Sequence, residues 1–206
     1  MPYFVIKDIQ IEGNKSIPTK EITKLVTCQG KSLLALNAQK IRHQLSQHPL
    51  IKGVEIKRIW PNKMKIVIKE HQIVALAYIE NRWWLVDKEG ECIPTTTRKG
   101  LDLPVITGLS SQNDPHLKTA LALIDAWSHK QKSFSLENIS EVHVDVDLGI
   151  NVFTLQGWQV LIGNGNFAKK LDTLVKILAY LQKNGKQVKF IDLTDMHRIY
   201  AKLGKK

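Results

Sequence analysis

The chain has 206 residues, of which 43% are hydrophobic and 24% charged, and a formal charge of +11. That is enough apolar material for one large or two small domains, and its even spread excludes disorder and low complexity. No run approaches the roughly 18 consecutive apolar residues of a spanning helix, and nothing near Met1 reads as a secretion signal.

The first segment, FVIKDIQIEGNKSI, sets Ile9 and Ile11 against Asp8, Gln10 and Glu12, the period of a half-buried strand. Gly13-Asn14 closes it as a turn. Pro18 then suits the first turn of a helix, where its missing N–H has no partner to lose. Ile22, Leu25 and Val26 share a face of that helix, and Gly30 reads as its C-terminal stop. Asn37 is a fitting N-cap for a second helix with Ile41 and Leu45 on its apolar face, ended by His48-Pro49.

VEIKRIWPNKMKIVIKE follows, two alternating runs around Trp60-Pro61-Asn62. Val54, Ile56, Met64, Ile66 and Ile68 point one way, while Lys63, Lys65 and Lys69 point into water. Pro61 and Asn62 suit the turn, Trp60 is expected to close the end of a small core, and the lysines to discourage sheet-edge association. Strand, helix, helix, strand, strand in about 70 residues, with both helices on one sheet face, makes a small α+β domain.

The remainder reads as a second domain, and the first unit is not repeated in it. IVALAYIENRWWLVDKEGECIP is a hairpin turning at Glu80-Asn81, with a tight turn at Asp87-Lys88-Glu89-Gly90. LPVITGL, residues 103–109, is a short extended piece, and residues 115–131 place Leu117, Leu121, Ile124 and Ser128 at helical spacing. Three alternating runs from Ile139 to Gly163 make an antiparallel meander. Leu171, Leu174, Leu178 and Leu181 mark a second amphipathic helix over 166–184, and a last apolar run, QVKFIDL, leads into a basic tail.

Residues 1–71 hold 13 Lys/Arg against 5 Asp/Glu, whereas residues 72–206 hold 17 against 14. The positive field of the first third favours an anionic partner, either nucleic acid or an acidic membrane surface. Nucleic acid would call for aromatics interleaved with the basic residues on an exposed face, and Trp60, Trp83 and Trp84 read as packing residues.

No catalytic, metal or cofactor constellation emerges. The seven histidines do not converge, HExxH is absent, and GLSSQ lacks the glycine spacing of a nucleophile elbow. In IGNGNFAKK, Gly163 and Gly165 permit a strand-to-helix turn that Asn164 or Asn166 caps; the full phosphate-binding pattern is missing. Asp87, Asp145, Asp147 and Asp192 are scattered over strand ends and read as solvated surface. Cys28 and Cys92 have no metal-ligand spacing and leave a disulfide open.

The order of these motifs resembles the FtsQ/DivIB family of bacterial cell-division proteins. IQIEGNKSIPTKEI and KSLLALN…RIWPNKMKIVIKEHQIVAL resemble its POTRA domain; WWLVDKEGECI, LPVITGL, VLIGNGNFAKKLDTLVKIL and VKFIDL resemble successive segments of its β domain. The resemblance implies an α+β fold: a POTRA domain, β-α-α-β-β, over 1–71, then a mostly antiparallel β domain with two amphipathic helices over 72–206. It implies a non-catalytic scaffold without cofactors that binds FtsB-like and FtsL-like proteins and helps regulate septal peptidoglycan synthesis. It does not imply a nucleic-acid partner. The chain would be the extracytoplasmic part of a single-pass inner-membrane protein at the septum, its membrane helix preceding residue 1. Lys7, Lys15, Lys63, Lys65 and Lys69 would then form a membrane-proximal basic surface. A POTRA protein of outer-membrane assembly or secretion is the main alternative, although no repeated POTRA unit or barrel is visible.

In the family, the end of the β domain presents a sheet edge to which a strand of FtsB is added. The corresponding stretch here is Asp192, Leu193, Thr194, Asp195, Met196, His197, Arg198, Ile199, Tyr200 and Ala201. It departs from the family pattern: Thr194-Asp195 stand where Arg-Tyr is usual, and no glycine precedes Tyr200. Main-chain pairing would survive this change, whereas side-chain specificity would differ.

Overall fold

The alternation of Ile9 and Ile11 with polar neighbours forms β1, Asp8–Glu12. A computed structural model provides the coordinates and describes residues 4–26, 30–95, 101–130 and 138–204. Gly13 ends β1 at φ +84, and an added Cβ would lie 2.2 Å from Ile68 O, so only glycine makes this turn. Helix α1 spans Thr19–Leu25 and α2 spans Ala38–Ser46. The Asn37 side chain caps α2, accepting the Lys40 N–H at 3.0 Å.

Helix α1 stops at Leu25, short of the stop expected at Gly30. The chain must return to pair with residues 4–6: Ile6 N–H donates to Lys31 O, Leu33 N–H to Phe4 O, and Gly30 N–H to Ile6 O. Gly30, at φ +80, belongs to that return.

Strands β2, Ile51–Ile59, and β3, Lys63–Glu70, make the hairpin, whose Trp60–Pro61 peptide is cis. The sheet order is β1-β3-β2, with β1 parallel and β2 antiparallel to β3. Met64, Ile66 and Ile68 are buried with Ile22, Ile41 and Leu45 beneath the two helices.

Two expectations are corrected here. Strand β3 is central, so Lys63, Lys65 and Lys69 guard no edge; they occupy the outer sheet face, and the edges are β1 and β2. Trp60 does not close the core: it is 55% exposed, and its ring meets the Phe4 ring edge-on at 5.6 Å. It lies beyond the last paired residues, Ile59 and Lys63, and the aliphatic side chains of Ile6, Leu33 and Leu36 are in the core instead.

The division into units falls after Gln72, with Ile73–Lys206 forming the second. Its elements are β4 (Ile73–Ile79), β5 (Arg82–Asp87), β6 (Cys92–Pro94), β7 (Val105–Thr107), α3 (His116–Ser128), β8 (Ile139–Asp145), β9 (Gly149–Thr154), β10 (Gln159–Gly163), α4 (Phe167–Lys183), β11 (Val188–Asp192) and β12 (Tyr200–Leu203). Glu80 and Asn81 join β4 to β5 with φ of 50 and 63, the left-handed pair that matches strand twist.

The sheet order is β12-β11-β10-β9-β8-β7-β4-β5-β6. Neighbours are antiparallel except at β4–β7, β7–β8 and β10–β11. Parallel neighbours need a long crossover, and α3 and α4 supply those from β7 to β8 and from β10 to β11. Leu117, Ile124 and Trp127 of α3 join Leu171 and Leu174 of α4 over Ala77, Ile106, Val142, Val152 and Ile191. Burying each large side chain contributes about 1.5–3 kcal/mol. The fold class is α+β, a POTRA-like unit followed by a mostly antiparallel β domain with two amphipathic helices.

Two further readings change. The basic tail is not a mere tail, because it supplies β12, whose four residues are all exposed and carry no apolar period to signal a strand. Asp87 is fully buried rather than solvated: it accepts the N–H groups of Glu89 and Glu91 at 3.0 and 2.9 Å and shapes its own turn. Cys92 is half-buried; burial, and then the Asp87 charge, push its thiol up. Cys28, and with it the open disulfide, lies outside the described residues.

Candidate functional site

A sheet of nine strands has two ends, and here they differ. At one end β6 is three residues long and finishes in Pro94, which has no N–H to offer. At the other, β12 pairs with β11 on one side only, through Asp192↔Tyr200, Ile191↔Ala201 and Phe190↔Lys202. Its outer edge has no strand partner among the described residues, and it contains no proline. Tyr200 is 60% and Leu203 38% exposed. An open edge of this kind is a template for another strand, main-chain groups giving affinity and exposed side chains giving selectivity.

The expected contact, 192–201, resolves into three parts. Asp192 ends β11, one strand in from the edge. Leu193 is corrected as a contact residue, because its side chain is fully buried and its N–H donates to Leu161 O at 2.8 Å. Residues 194–199 form the turn into β12, and only Tyr200 and Ala201 lie on the open strand itself, which continues through Lys202 and Leu203.

The turn explains how the chain manages without the expected glycine. Asp192 Oδ1 accepts the Thr194 N–H at 2.8 Å and the Thr194 hydroxyl at 2.7 Å. Asp195 Oδ1 accepts the His197 N–H at 2.8 Å. Short acidic side chains that bind the backbone two residues on create a turn without a left-handed residue. Met196 and Ile199 are half-buried, with Ile199 packed on the core, and His197 and Arg198 are exposed.

Beneath this turn lies a group the sequence reading missed. Lys170, on α4, is only 5% exposed. Its Nζ donates to Ile162 O at 2.7 Å and to Asn164 O at 2.9 Å. The β9–β10 register slips between Leu161 and Gly163, so the Ile162 carbonyl lies at an interruption of the ladder. Burial lowers the Lys170 pKa, while the Asp192 carboxylate raises it. The signal was present in the sequence: Lys170 stands four residues before Leu174, on the apolar stripe of its helix. Gly163 and Gly165 adopt positive φ as expected, and Asn166 caps α4 by accepting the Lys169 N–H at 3.3 Å.

The other expected surface is not uniformly basic. Lys63 pairs with Asp8 at 3.4 Å and Lys65 with Glu12 at 2.8 Å. Lys7, Lys15 and Lys69 are exposed. At the far end of this unit Glu70 accepts the N–H groups of Lys15, Ser16 and Ile17 at 2.8, 2.8 and 3.0 Å.

Comparison with known proteins places this architecture. A family model described as POTRA domain, FtsQ-type, matches residues 4–71, and one described as Cell division protein FtsQ/DivIB, C-terminal, matches residues 75–194. The chain belongs to the FtsQ/DivIB family of cell-division proteins. Cell division protein FtsQ of Geotalea daltonii is 32% identical over 97% of this chain and 76% of that protein. The FtsQ of a Geobacter species is 32% identical over 96% of this chain and 75% of its own length. The extracytoplasmic domain of DivIB from Geobacillus stearothermophilus is similar over 56% of this chain and 98% of that one, with 19% identity and a TM-score of 0.38. The stretch that the FtsQ/DivIB C-terminal model matches ends at residue 194, before β12. An FtsQ-type POTRA unit joined to this C-terminal domain displaces the outer-membrane assembly reading. Among the described residues no helix is long and apolar enough to cross a membrane.

Proposed function

We propose that this chain is the extracytoplasmic part of a single-pass FtsQ/DivIB-type protein and acts at the division septum as a non-catalytic scaffold. It binds FtsB-like and FtsL-like proteins and through them helps regulate septal peptidoglycan synthesis. The observation that carries this reading is the open edge of β12, in a chain of a cell-division family. An extended segment of the FtsB-like partner adds beyond Tyr200–Leu203 and meets the side chains of Tyr200 and Lys202, while Thr194-Asp195 take the place of the family's Arg-Tyr pair in the turn before them.

Calorimetry with the extracytoplasmic segment of the FtsB-like protein from the same genome tests this. Successive N–H groups of a strand point to opposite sides, so proline placed in turn at Ala201 and Lys202 removes one outward donor and one ladder donor. Saturable binding to the intact chain is expected, with loss of affinity in the outward-donor variant at unchanged stability. Binding that persists when residues 200–206 are removed would refute the β12 site.

A further inference from the structure

Among the described residues of the first unit, three large hydrophobic side chains are exposed: Leu34 at 63%, Ile59 at 36% and Trp60 at 55%. All three lie at one end. Ile59 and Trp60 form the hairpin tip, and the Phe4 ring touches the Trp60 ring. Phe4 O in turn accepts the Leu33 N–H at 2.7 Å, which brings Leu34 to the same end.

The charges of the unit are sorted along the same axis. The Lys7 N–H donates to Asn62 O of the hairpin loop, and Lys31 O accepts from Ile6 N–H, so both lysines stand at the tip end. Arg58 joins them, its Nη2 donating to Leu36 O at 2.8 Å. All but one of the acids lie elsewhere. Glu12 ends β1, Glu70 binds the loop at Lys15–Ile17, and Glu21 lies 3.3 Å from His48, all at the far end. Glu55 is midway along β2, paired with Lys57; Asp8 stands near the tip, in register with Lys63 and paired with it at 3.4 Å. The tip therefore carries exposed apolar and aromatic groups among cations, with one nearby acid, Asp8, that Lys63 already pairs.

We propose that the hairpin tip, with Trp60, Ile59 and Leu34 ringed by Lys7, Lys31 and Arg58, is a docking surface for an anionic lipid bilayer. Indole rings favour the headgroup region, where the apolar body is buried and the N–H stays wet. Each cation near an anionic surface strengthens partitioning about fivefold. Three separated apolar side chains are too few for the core of a stable protein interface, which buries about 800 Å² per partner, whereas a bilayer needs no matching shape. The outer sheet face, where Lys63 and Lys65 are already paired with acids, is the weaker lipid surface.

Co-sedimentation of the full chain with vesicles at low ionic strength tests the proposal, comparing equal parts phosphatidylglycerol and phosphatidylcholine with phosphatidylcholine alone. Binding to the anionic vesicles is expected, and added salt weakens it. Trp60→Ser reduces it about tenfold or more. Lys7→Gln with Lys31→Gln reduces it roughly 25-fold, whereas Lys65→Gln with Lys69→Gln changes it less than about twofold. Doxyl-labelled lipid should quench a component of the emission that is missing in Trp60→Phe, a conservative replacement that keeps the ring contact with Phe4. Equal binding to both vesicle types would overturn the proposal, as would absence of that quenched component. So would self-association of the chain that Trp60→Ser abolishes, because a second copy would then be the occupant.

Discussion

Replacing Lys170 by methionine keeps the apolar stem and removes the ammonium. The structure sets three contributions. Ile162 O, now accepting at 2.7 Å, loses its donor at an interruption of the ladder, and a buried acceptor without a partner costs about 1–3 kcal/mol. Asn164 is exposed, so water replaces the ammonium at its carbonyl at little cost. In the opposite direction, the variant is relieved of burying a charge, a burden shown by the lowered pKa of Lys170. The stranded carbonyl outweighs this relief because Asp192 already compensates part of the burial. The net expectation is a loss of about 1–2 kcal/mol, or roughly 4–7 °C in the melting temperature of the second unit. Tryptophan emission reports on this unit, since Trp83, Trp84, Trp127 and Trp158 all belong to it. Lys169→Met, at an exposed neighbour, should stay within about 0.5 kcal/mol. Because Asp192 also holds the Thr194 turn, Lys170→Met is expected to weaken partner binding at β12 as well. A Lys170→Met protein as stable as the parent, or more so, would refute the reasoning: the ammonium would then not be what satisfies the bulge.

Glu70→Gln should weaken the first unit by about 1 kcal/mol, measured as faster amide exchange in β3. Burial raises the Glu70 pKa, but the three backbone N–H groups of Ser16, Ile17 and Lys15 outweigh it and leave it lowered. Its contribution is therefore complete above the unfolded value of about 4.3 and is lost as pH falls through the lower folded value; Glu70→Gln should flatten the stability profile in that window. Gly149→Ala should destabilise the second unit by about 3 kcal/mol or more in urea titration, since Gly149 has φ +81 and an added Cβ would meet the Gly163 backbone at 2.5 Å.

Much of the local structure is written in short-range pattern. The period of two in 8–12 and 139–163, the stripes Leu117–Leu121–Ile124 and Leu171–Leu174–Leu178, the caps Asn37 and Asn166, and the Glu80-Asn81 turn each depend on residues within a few positions of one another. Such signals survive in one dimension because the physics behind them is local: side-chain direction, capping and turn dihedrals. The ordered series of motifs carried the family in the same way.

What the pattern could not determine was decided by partners distant in sequence. Strand β3 became central because β1 pairs with it from about 55 residues away, and this turned the lysines from edge guards into an outer face. Trp60 stayed exposed because it stands in the hairpin loop, beyond the last paired residues Ile59 and Lys63, although a large aromatic side chain suited a core. Lys170 is buried because a bulge in β10 presents a carbonyl to the helix that follows, and Asp87 because its turn folds its own N–H groups inward. The open edge of β12 was the least visible feature. Four exposed residues have no apolar period, and their strand exists only because β11 supplies the other half of the ladder.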